Sequence, residues 1–454
     1  MTPTRSQARI GTPCICIVGG GFGGLYTALS LQKYRHLRHS QIILIEPRER
    51  FLFTPMMYEL ITDELLSWEI VPTYSSLLAG TNVTRLGQRA QSIDLEGQTV
   101  VTEGGHRVEY DYLVLATGAE SRPVSVPGVD AHALTFRSYE DAQMLKARLA
   151  QLVQAQALRP LVGVREGARR ERRADGRAEG GAGRGSVVAE SADAIAVMVV
   201  GGGASGVELA AKVADYLTAE GHGNRRIILV DRGDQLLSGF PDGMRRQALR
   251  SLSERQVKIL RNTSVAEVGA ISVTLQQGEK RWTVPSQLTL WAVGTRPRPW
   301  LGRESVRQND YGQVLTQRSL QLMDYDSVFA LGDSADVRGP QGKAAPNTAQ
   351  AAFQAASQVA KNIAAIARGS TPKPFNYLHL GDMITLGVGD AALSSFGLTL
   401  GGLLAALSRR VVYIFRMPTR RHQLKVARRA LAELVRAIFR PLLSPGRQSR
   451  RSDL

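Results

Sequence analysis

The 454-residue chain reads as an α/β protein with two parallel-sheet domains, the second inserted in the first, and a separate C-terminal segment. Three observations carry that reading. Two apolar runs end in glycine clusters: Ile15-Cys16-Ile17-Val18 leads into Gly19, Gly21 and Gly24, and Val197-Met198-Val199-Val200 leads into Gly201, Gly203 and Gly206. Each cluster fits Gly-x-Gly-x-x-Gly between a strand and a helix, and each is followed by an acid at the end of the next apolar run, Glu46 and Asp231. A later buried strand, Tyr112 to Ala116 ending in Thr117-Gly118, is echoed by Leu288 to Val293 closing in Gly294-Thr295. Such an internal repeat is what one fold inserted into another produces.

The glycine pattern has a physical reason. The first glycine makes a tight turn, the second lets amides approach a pyrophosphate, and the third lets helix and strand pack closely. The helix N-terminus then faces the phosphates with its partial positive charge. The acid at the next strand end accepts from a ribose. Two such units predict two Rossmann-like dinucleotide-binding domains, and two dinucleotides on one chain imply electrons passing between them.

The expected organisation follows in order. Residues 11–158 form the first part of the first domain, with helical spacing from Tyr139 to Val153. Residues 159–193 hold eight Arg and six acids with little apolar periodicity, and read as a flexible surface insertion. Residues 194–300 form the second domain. Residues 301–374 return to the first, with the run Val328 to Leu331 ending in Gly332-Asp333 and an Ala- and Gln-rich helix from about Asn347 to Ala367. Residues 375–454 stand apart.

Composition narrows the class. The net charge is +17, and from Leu403 to Leu454 thirteen Lys or Arg stand against two acids. That tail suggests nucleic acid or an anionic membrane surface. The two cysteines, Cys14 and Cys16, both fall in the first strand and read as small packing residues, with no sign of an oxidising compartment. No secretory segment precedes the first strand. Ala391 to Leu407 is the nearest approach to a spanning run, but its glycines and hydroxyl residues read as loop plus packed helix. No metal site is expected.

These elements together resemble the two-dinucleotide-domain flavoproteins, in which the first site takes FAD and the second NAD(P)H. The disulfide and sulfide:quinone branches use cysteines near the flavin, and this chain has none after position 16. The pattern is most similar to the type II NAD(P)H:quinone oxidoreductases. Phe51 to Leu60 resembles their loop after the ribose acid, and Thr348-Ala349-Gln350-Ala351-Ala352-Phe353-Gln354 their quinone-site helix. Trp68-Glu69-Ile70, and Phe415-Arg416-Met417-Pro418-Thr419 with His422 and Lys425-Val426, resemble a branch found in phototrophs that includes demethylphylloquinone reductase.

The resemblance implies roles. Gly19, Gly21 and Gly24 would cradle the FAD pyrophosphate, with Glu46 on the adenosine ribose, Thr117 and Gly118 at the flavin edge, and Asp333 on the ribityl chain. Asp333 also suits a helix N-cap. Phe22, Gly23, Pro55, Gly294, Gly332 and Ala349 complete the cofactor contacts. Gly201, Gly203 and Gly206 would hold NADH or NADPH. Asp231 favours NADH, while Arg232 tolerates a 2′-phosphate. Glu208, early in the second helix, approaches the nicotinamide side of the flavin, or else serves the helix dipole. Gln350 and Gln354 share one helix face and could hydrogen-bond a quinone carbonyl, or form a plain polar face.

The tail from Gln423 to Arg440 is amphipathic. Leu424, Ala427, Leu431, Leu434, Val435 and Ile438 share a face, and Lys425, Arg429, Arg436 and Arg440 lie on the neighbouring one, with Pro441 expected to end the helix. The pattern suits a helix lying in a membrane interface. The expected partners are a quinone and an anionic membrane surface, with no nucleic acid. The implied location is peripheral, on the cytoplasmic face of a thylakoid or plasma membrane if the source is a phototroph. A second copy of the chain, in a homodimer, is a further candidate partner. An NAD(P)H:ferredoxin-type reductase and a flavin-based redox sensor are the alternative functions.

Overall fold

A computed structural model describes residues 12–122, 124–157, 194–302, 304 and 306–443, with side chains to 436. Residues 159–193, expected as a flexible insertion, lie outside the described residues.

The apolar runs form β1 (Cys14–Val18), β2 (Gln41–Ile45), β3 (Val83–Leu86), β4 (Tyr112–Leu115), β5 (Ala133–Thr135), β6 (Ile195–Val200), β7 (Arg225–Val230), β8 (Val257–Leu260), β9 (Leu288–Trp291) and β10 (Val328–Ala330). Their sequences lack polar alternation because a parallel sheet covered by helices is buried on both faces; all six residues of β6 are buried. One sheet runs β3-β2-β1-β4-β10 and the other β8-β7-β6-β9-β5. In each, the strand before the glycine loop is central, with the acid-bearing strand on one side.

Register brings the motifs together. Val18 pairs with Ile45 and with Leu115, so Gly19, Glu46 and Ala116 follow at one sheet edge. Val200 pairs with Val230 and with Trp291, which aligns Gly201, Asp231 and Ala292 in the same way. The helices after the loops are α1 (Phe22–Leu31) and α3 (Ala204–Ala219), with α2 (Tyr139–Ala157) between them in sequence. The third glycines are close-packing positions: a Cβ on Gly24 would lie 1.8 Å from the Gly19 carbonyl oxygen, and one on Gly206 1.7 Å from that of Gly201.

Beyond the sheets lie α4 (Ala349–Ile366), an antiparallel sheet of β11 (Asp382–Gly387), β12 (Asp390–Ser395) and β13 (Leu398–Gly401), and two helices, α5 (Gly402–Arg416) and α6 (Arg420–Leu443). The sequence reading differs in three places. Strand β5 falls inside residues 11–158, yet it pairs with β9 in the second sheet; a three-residue strand has too little pattern to reveal its partner. Residues 391–401 form most of a β-hairpin where a loop was expected, with Phe396 and Gly397, both at positive φ, making the turn, and the expected helix follows as the start of α5. Helix α6 runs two residues past Pro441, which removes one main-chain donor where little helix remains to be lost.

The outer faces of the last elements are apolar. On α5, Ala405, Arg409 and Tyr413 are buried, while Leu403, Leu407, Val411 and Phe415 on the opposite side are exposed. On α6, Leu424, Leu431, Leu434 and Val435 are exposed, and the charges turn inward: Arg429 bridges Glu69 and Glu433, and Arg410 of α5 also reaches Glu433. The expected basic face of α6 is thus partly engaged with the body. Ile438 and Arg440 lie beyond the described side chains.

Candidate active site

The carboxyl edge of the first sheet opens into a cavity of about 2030 Å³. A single small-molecule site is typically ~300–1,000 Å³, so this one has room for more than one ligand. Gly19, Gly21, Phe22 and Gly23 line one end beside Glu46, and Pro55, Thr117, Gly118, Gly332 and Asp333 continue the wall. The second domain contributes Ala204, Ser205, Glu208, Trp291 and Gly294. Thr348, Ala349 and Gln350 bring in the N-terminus of α4. Gly24 and Gly206 lie in the packing beneath the loops, and Gly201, Gly203 and Asp231 sit at the open edge of the second sheet, outside the cavity lining.

The donor set fits FAD. Helix α1 starts at Gly21 with no side-chain cap and no acid in its first turn, and a Cβ at Gly21 would meet nothing within 4 Å. Its first amides therefore lack a helix partner and face open space, the arrangement that binds an anion. Gly203 before α3 shows the same three features. Asp333 caps no helix: the short helical turn at Gly332–Ser334 has Leu331 at its N-cap, without a side-chain bond. Its carboxyl is raised by burial, partly offset by Arg137, and is an acceptor at the cavity wall.

The two acids brace their glycine loops. Glu46 is buried; its carboxylate accepts from the Gly20 amide at 2.8 Å and from the Arg48 side chain at 2.8 and 2.9 Å. Burial alone would raise it, but Arg48 holds it below the usual carboxylate range. Asp231 accepts from the Gly202 amide, and at 2.6 Å from that of Gly233.

Glu208 is buried on α3 and accepts from the Thr385 amide at 2.9 Å. Burial pushes its carboxyl up to about 7, against the lowering charge of Arg409. The Tyr58 hydroxyl lies beside Ser205 and Glu208, and burial pushes it up. The dipole alternative for Glu208 loses force, because Glu208 lies beyond the first turn of α3, which holds no acid, and the effect falls off within that turn.

The glutamines differ from expectation. The Gln354 amide is paired with the Leu378 backbone in both directions, at 2.8 and 3.0 Å, and lies outside the cavity lining. Gln350 lines the cavity, but accepts from the Tyr377 hydroxyl at 2.9 Å and the Leu380 amide at 3.0 Å while donating to Gly381. An extended segment without a neighbouring strand satisfies its backbone with side-chain amides instead, and so residues 377–381 form a cavity wall. Sequence reasoning missed Arg48, Arg137, Arg409 and Tyr377. Only Arg409 left a signal, a lone cation in register with Ala405 and Tyr413 on one helical stripe.

A first glycine loop in the cavity wall, and a second whose helix start, Ala204 and Ser205, reaches the same cavity, define a pyridine-nucleotide-linked flavoprotein. Residues 13–356 match the pyridine nucleotide-disulphide oxidoreductase family, and the chain belongs to it. Within that family it is a type II NAD(P)H:quinone oxidoreductase. It is 38% identical over 420 residues to demethylphylloquinone reductase NdbB of Synechocystis sp., covering 91% of this chain and 94% of that one. It is 35% identical over 449 residues to the chloroplastic/mitochondrial alternative NAD(P)H-ubiquinone oxidoreductase C1 of Arabidopsis thaliana, covering 91% and 79%. In fold it is similar to NDH2 from Plasmodium falciparum in complex with NADH, with a TM-score of 0.75 at 18% identity over 91% of this chain and 97% of that one.

Proposed function

We propose that the chain passes electrons from NADH to a long-tailed membrane quinone through FAD held in the cleft, without proton pumping. One observation carries the reading: the first glycine loop and the start of α3 after the second, Ala204 and Ser205, line one cavity, and a further wall of it, from residues 377–381 with α4 and α5, belongs to neither sheet. That wall is the quinone's side. FAD, when bound, supplies the two-electron relay between nicotinamide and quinone.

The chain's residues bind, orient and handle protons. Gly19, Gly21 and the first amides of α1 take the FAD pyrophosphate, while Phe22, Gly23, Pro55, Thr117, Gly118, Gly294, Gly332 and Ala349 shape the flavin's surroundings. Glu46 meets the adenosine ribose and Asp333 the ribityl hydroxyls. Gly201 and Gly203 take the NADH pyrophosphate and Asp231 the ribose. A 2′-phosphate would meet the Asp231 carboxylate, so NADH is preferred, with Arg232 leaving NADPH tolerated. The N-terminus of α4 favours negative charge on the reduced cofactor. Glu208 holds a proton near neutral pH at the cavity wall. Gln350 and Gln354 act by fixing the wall at 377–381.

The outward leucines of α5 and α6, with Arg420, Arg421 and Arg436, support docking on an anionic membrane surface as a peripheral protein. Among the described residues no helix is long and apolar enough to cross a membrane. Likeness to the Synechocystis reductase supports a demethylated naphthoquinone as substrate. The test is steady-state NADH and NADPH oxidation in lipid vesicles against a panel of quinones. The reading expects quinone-dependent NADH oxidation fastest with the demethylated naphthoquinone. Turnover with a ferredoxin but with no quinone would overturn it.

A further inference from the structure

A charged cluster behind the cavity wall joins three parts of the fold. Helix α5 buries the stripe Ala405, Arg409 and Tyr413, and Arg409 is 4% exposed. Its guanidinium forms an ion pair with Glu59, donates to the Pro55 carbonyl, lies 3.9 Å from Glu208 Oε1 and covers the Tyr413 ring at 4.9 Å. Glu59 and Pro55 belong to the turn Thr54–Leu60 of the first domain, Glu208 to α3 of the second, and Arg409 to the C-terminal segment.

The groups facing Glu208 can be named element by element. From α5 come Arg409 and Tyr413; from the turn, Tyr58 and Glu59; from β11, the Thr385 amide; from α3 itself, Ser205 and Lys212. Lys212 is engaged elsewhere, with Glu64 and the Gly387 carbonyl. Two carboxylates therefore share one guanidinium, and they act on each other through it: Arg409 favours the charged form of Glu208 and Glu59 disfavours it.

We propose that Arg409 is the positioning residue for the acid in the cleft wall: delivered by α5, it orients the Glu208 carboxyl and, balanced against Glu59, sets the pH at which that carboxyl changes charge. The inference rests on the reading of Glu208 as the proton-holding group of the site. It gives the outward-facing helix a second job, since the same α5 that exposes Leu403, Leu407, Val411 and Phe415 carries the arginine inward. An opposite charge within ~4–6 Å shifts a carboxyl by roughly 1–3 pH units, and a like charge shifts it the other way. The two neighbours should thus have effects of opposite sign, which a role in packing alone would not produce.

The direct readout is the infrared band of the protonated Glu208 carboxyl, isolated by subtracting the spectrum of Glu208→Gln and followed against pH in the purified flavoprotein. Glu59→Gln should lower the midpoint, because the like charge goes. Adding Arg409→Met to that variant should raise it by about one pH unit or more. Arg409→Lys in its place should bring it back towards Glu59→Gln. Removing Glu59 and Arg409 together strands no buried charge, so the double variant is the one expected to fold, and flavin absorbance with a thermal melt checks it. A midpoint that stays put, or moves the same way in both steps, overturns the proposal. The reading beneath it is tested separately by reoxidation of the reduced enzyme by a short-chain soluble naphthoquinone across pH. If Glu208→Gln keeps the wild-type profile, Glu208 is not the acid of the site, whereas the infrared midpoints still decide what Arg409 does to it.

Discussion

His422, near the start of the last helix, donates its Nε2 hydrogen to the main-chain oxygen of Glu69, 2.7 Å away and 353 residues earlier in the chain. Its ring meets Trp68 edge-on with centroids 6.4 Å apart, and Lys425 lies 4.4 Å over the same indole. The two short segments that resemble the phototroph branch are one joint in space. That joint, with the Arg429–Glu69 pair at 2.9 Å, turns the polar side of α6 to the body and its leucines outward.

The first prediction concerns that outward face. Leu431→Glu with Leu434→Glu should release the protein from anionic vesicles, read by flotation. Each leucine withdrawn from an apolar phase forfeits about 1.5–3 kcal/mol, about tenfold or more in partitioning. Both side chains are more than half exposed, so the melting temperature should hardly move. High salt should weaken wild-type binding only in part, since screening acts on the basic groups alone. Unchanged flotation of the double variant would place the contact elsewhere.

Glu46→Arg should yield colourless protein. The buried carboxylate holds the Gly20 amide and Arg48 together, and hydrogen bonds to charged groups are worth about 1.5–3 kcal/mol each. An arginine removes them and sets two cations at the loop. Full flavin absorbance after purification would remove Glu46 from the site.

Asp231→Ala should raise KM for NADH roughly ten- to a hundredfold, the equivalent of one charged hydrogen bond. KM for NADPH should rise less, because a repulsive carboxylate goes as well. Unaltered NADH kinetics would mean that the second glycine loop does not hold the nucleotide in this way.

Glu208 also ties stability to pH. Its folded carboxyl is raised from 4.5 to about 7, chiefly by burial, so the folded state binds the proton more tightly than the unfolded chain. That contribution is complete below the unfolded value and is lost as pH climbs to about 7, at a cost of ~3 kcal/mol. A glutamine has no such dependence. Denaturant titrations of Glu208→Gln and wild type should therefore diverge in favour of the variant between about pH 4.5 and pH 8. Parallel curves over that window would contradict a raised Glu208.

What was legible in the sequence was what is local. A tight turn, a close helix–strand approach and an acid one strand on leave residues at fixed spacings, and Gly19, Glu46, Gly201 and Asp231 could be read directly. Strand β5 could not, since three residues hold no period and its partner lies more than 150 residues away. The roles of Gln350 and Gln354 were half visible: the shared helix face was clear, but not that residues 377–381 would use both amides. Of the Arg409 cluster only the helical stripe of Ala405, Arg409 and Tyr413 was visible, because its partners come from two other parts of the chain.

The central claim is that electrons enter from NADH and leave to a quinone at a different wall of one cavity. Stopped-flow absorbance of the flavin separates the two steps. Anaerobic NADH should bleach the flavin of wild type and Gln354→Leu at the same rate, because Gln354 lies outside the cavity lining and pairs with Leu378 of the 377–381 wall. Mixing the reduced proteins with quinone should restore the colour more slowly in the variant, whose 377–381 wall has lost its clamp on Leu378. Slowed bleaching with normal recolouring would contradict the account, for it would put the quinone wall on the nicotinamide side.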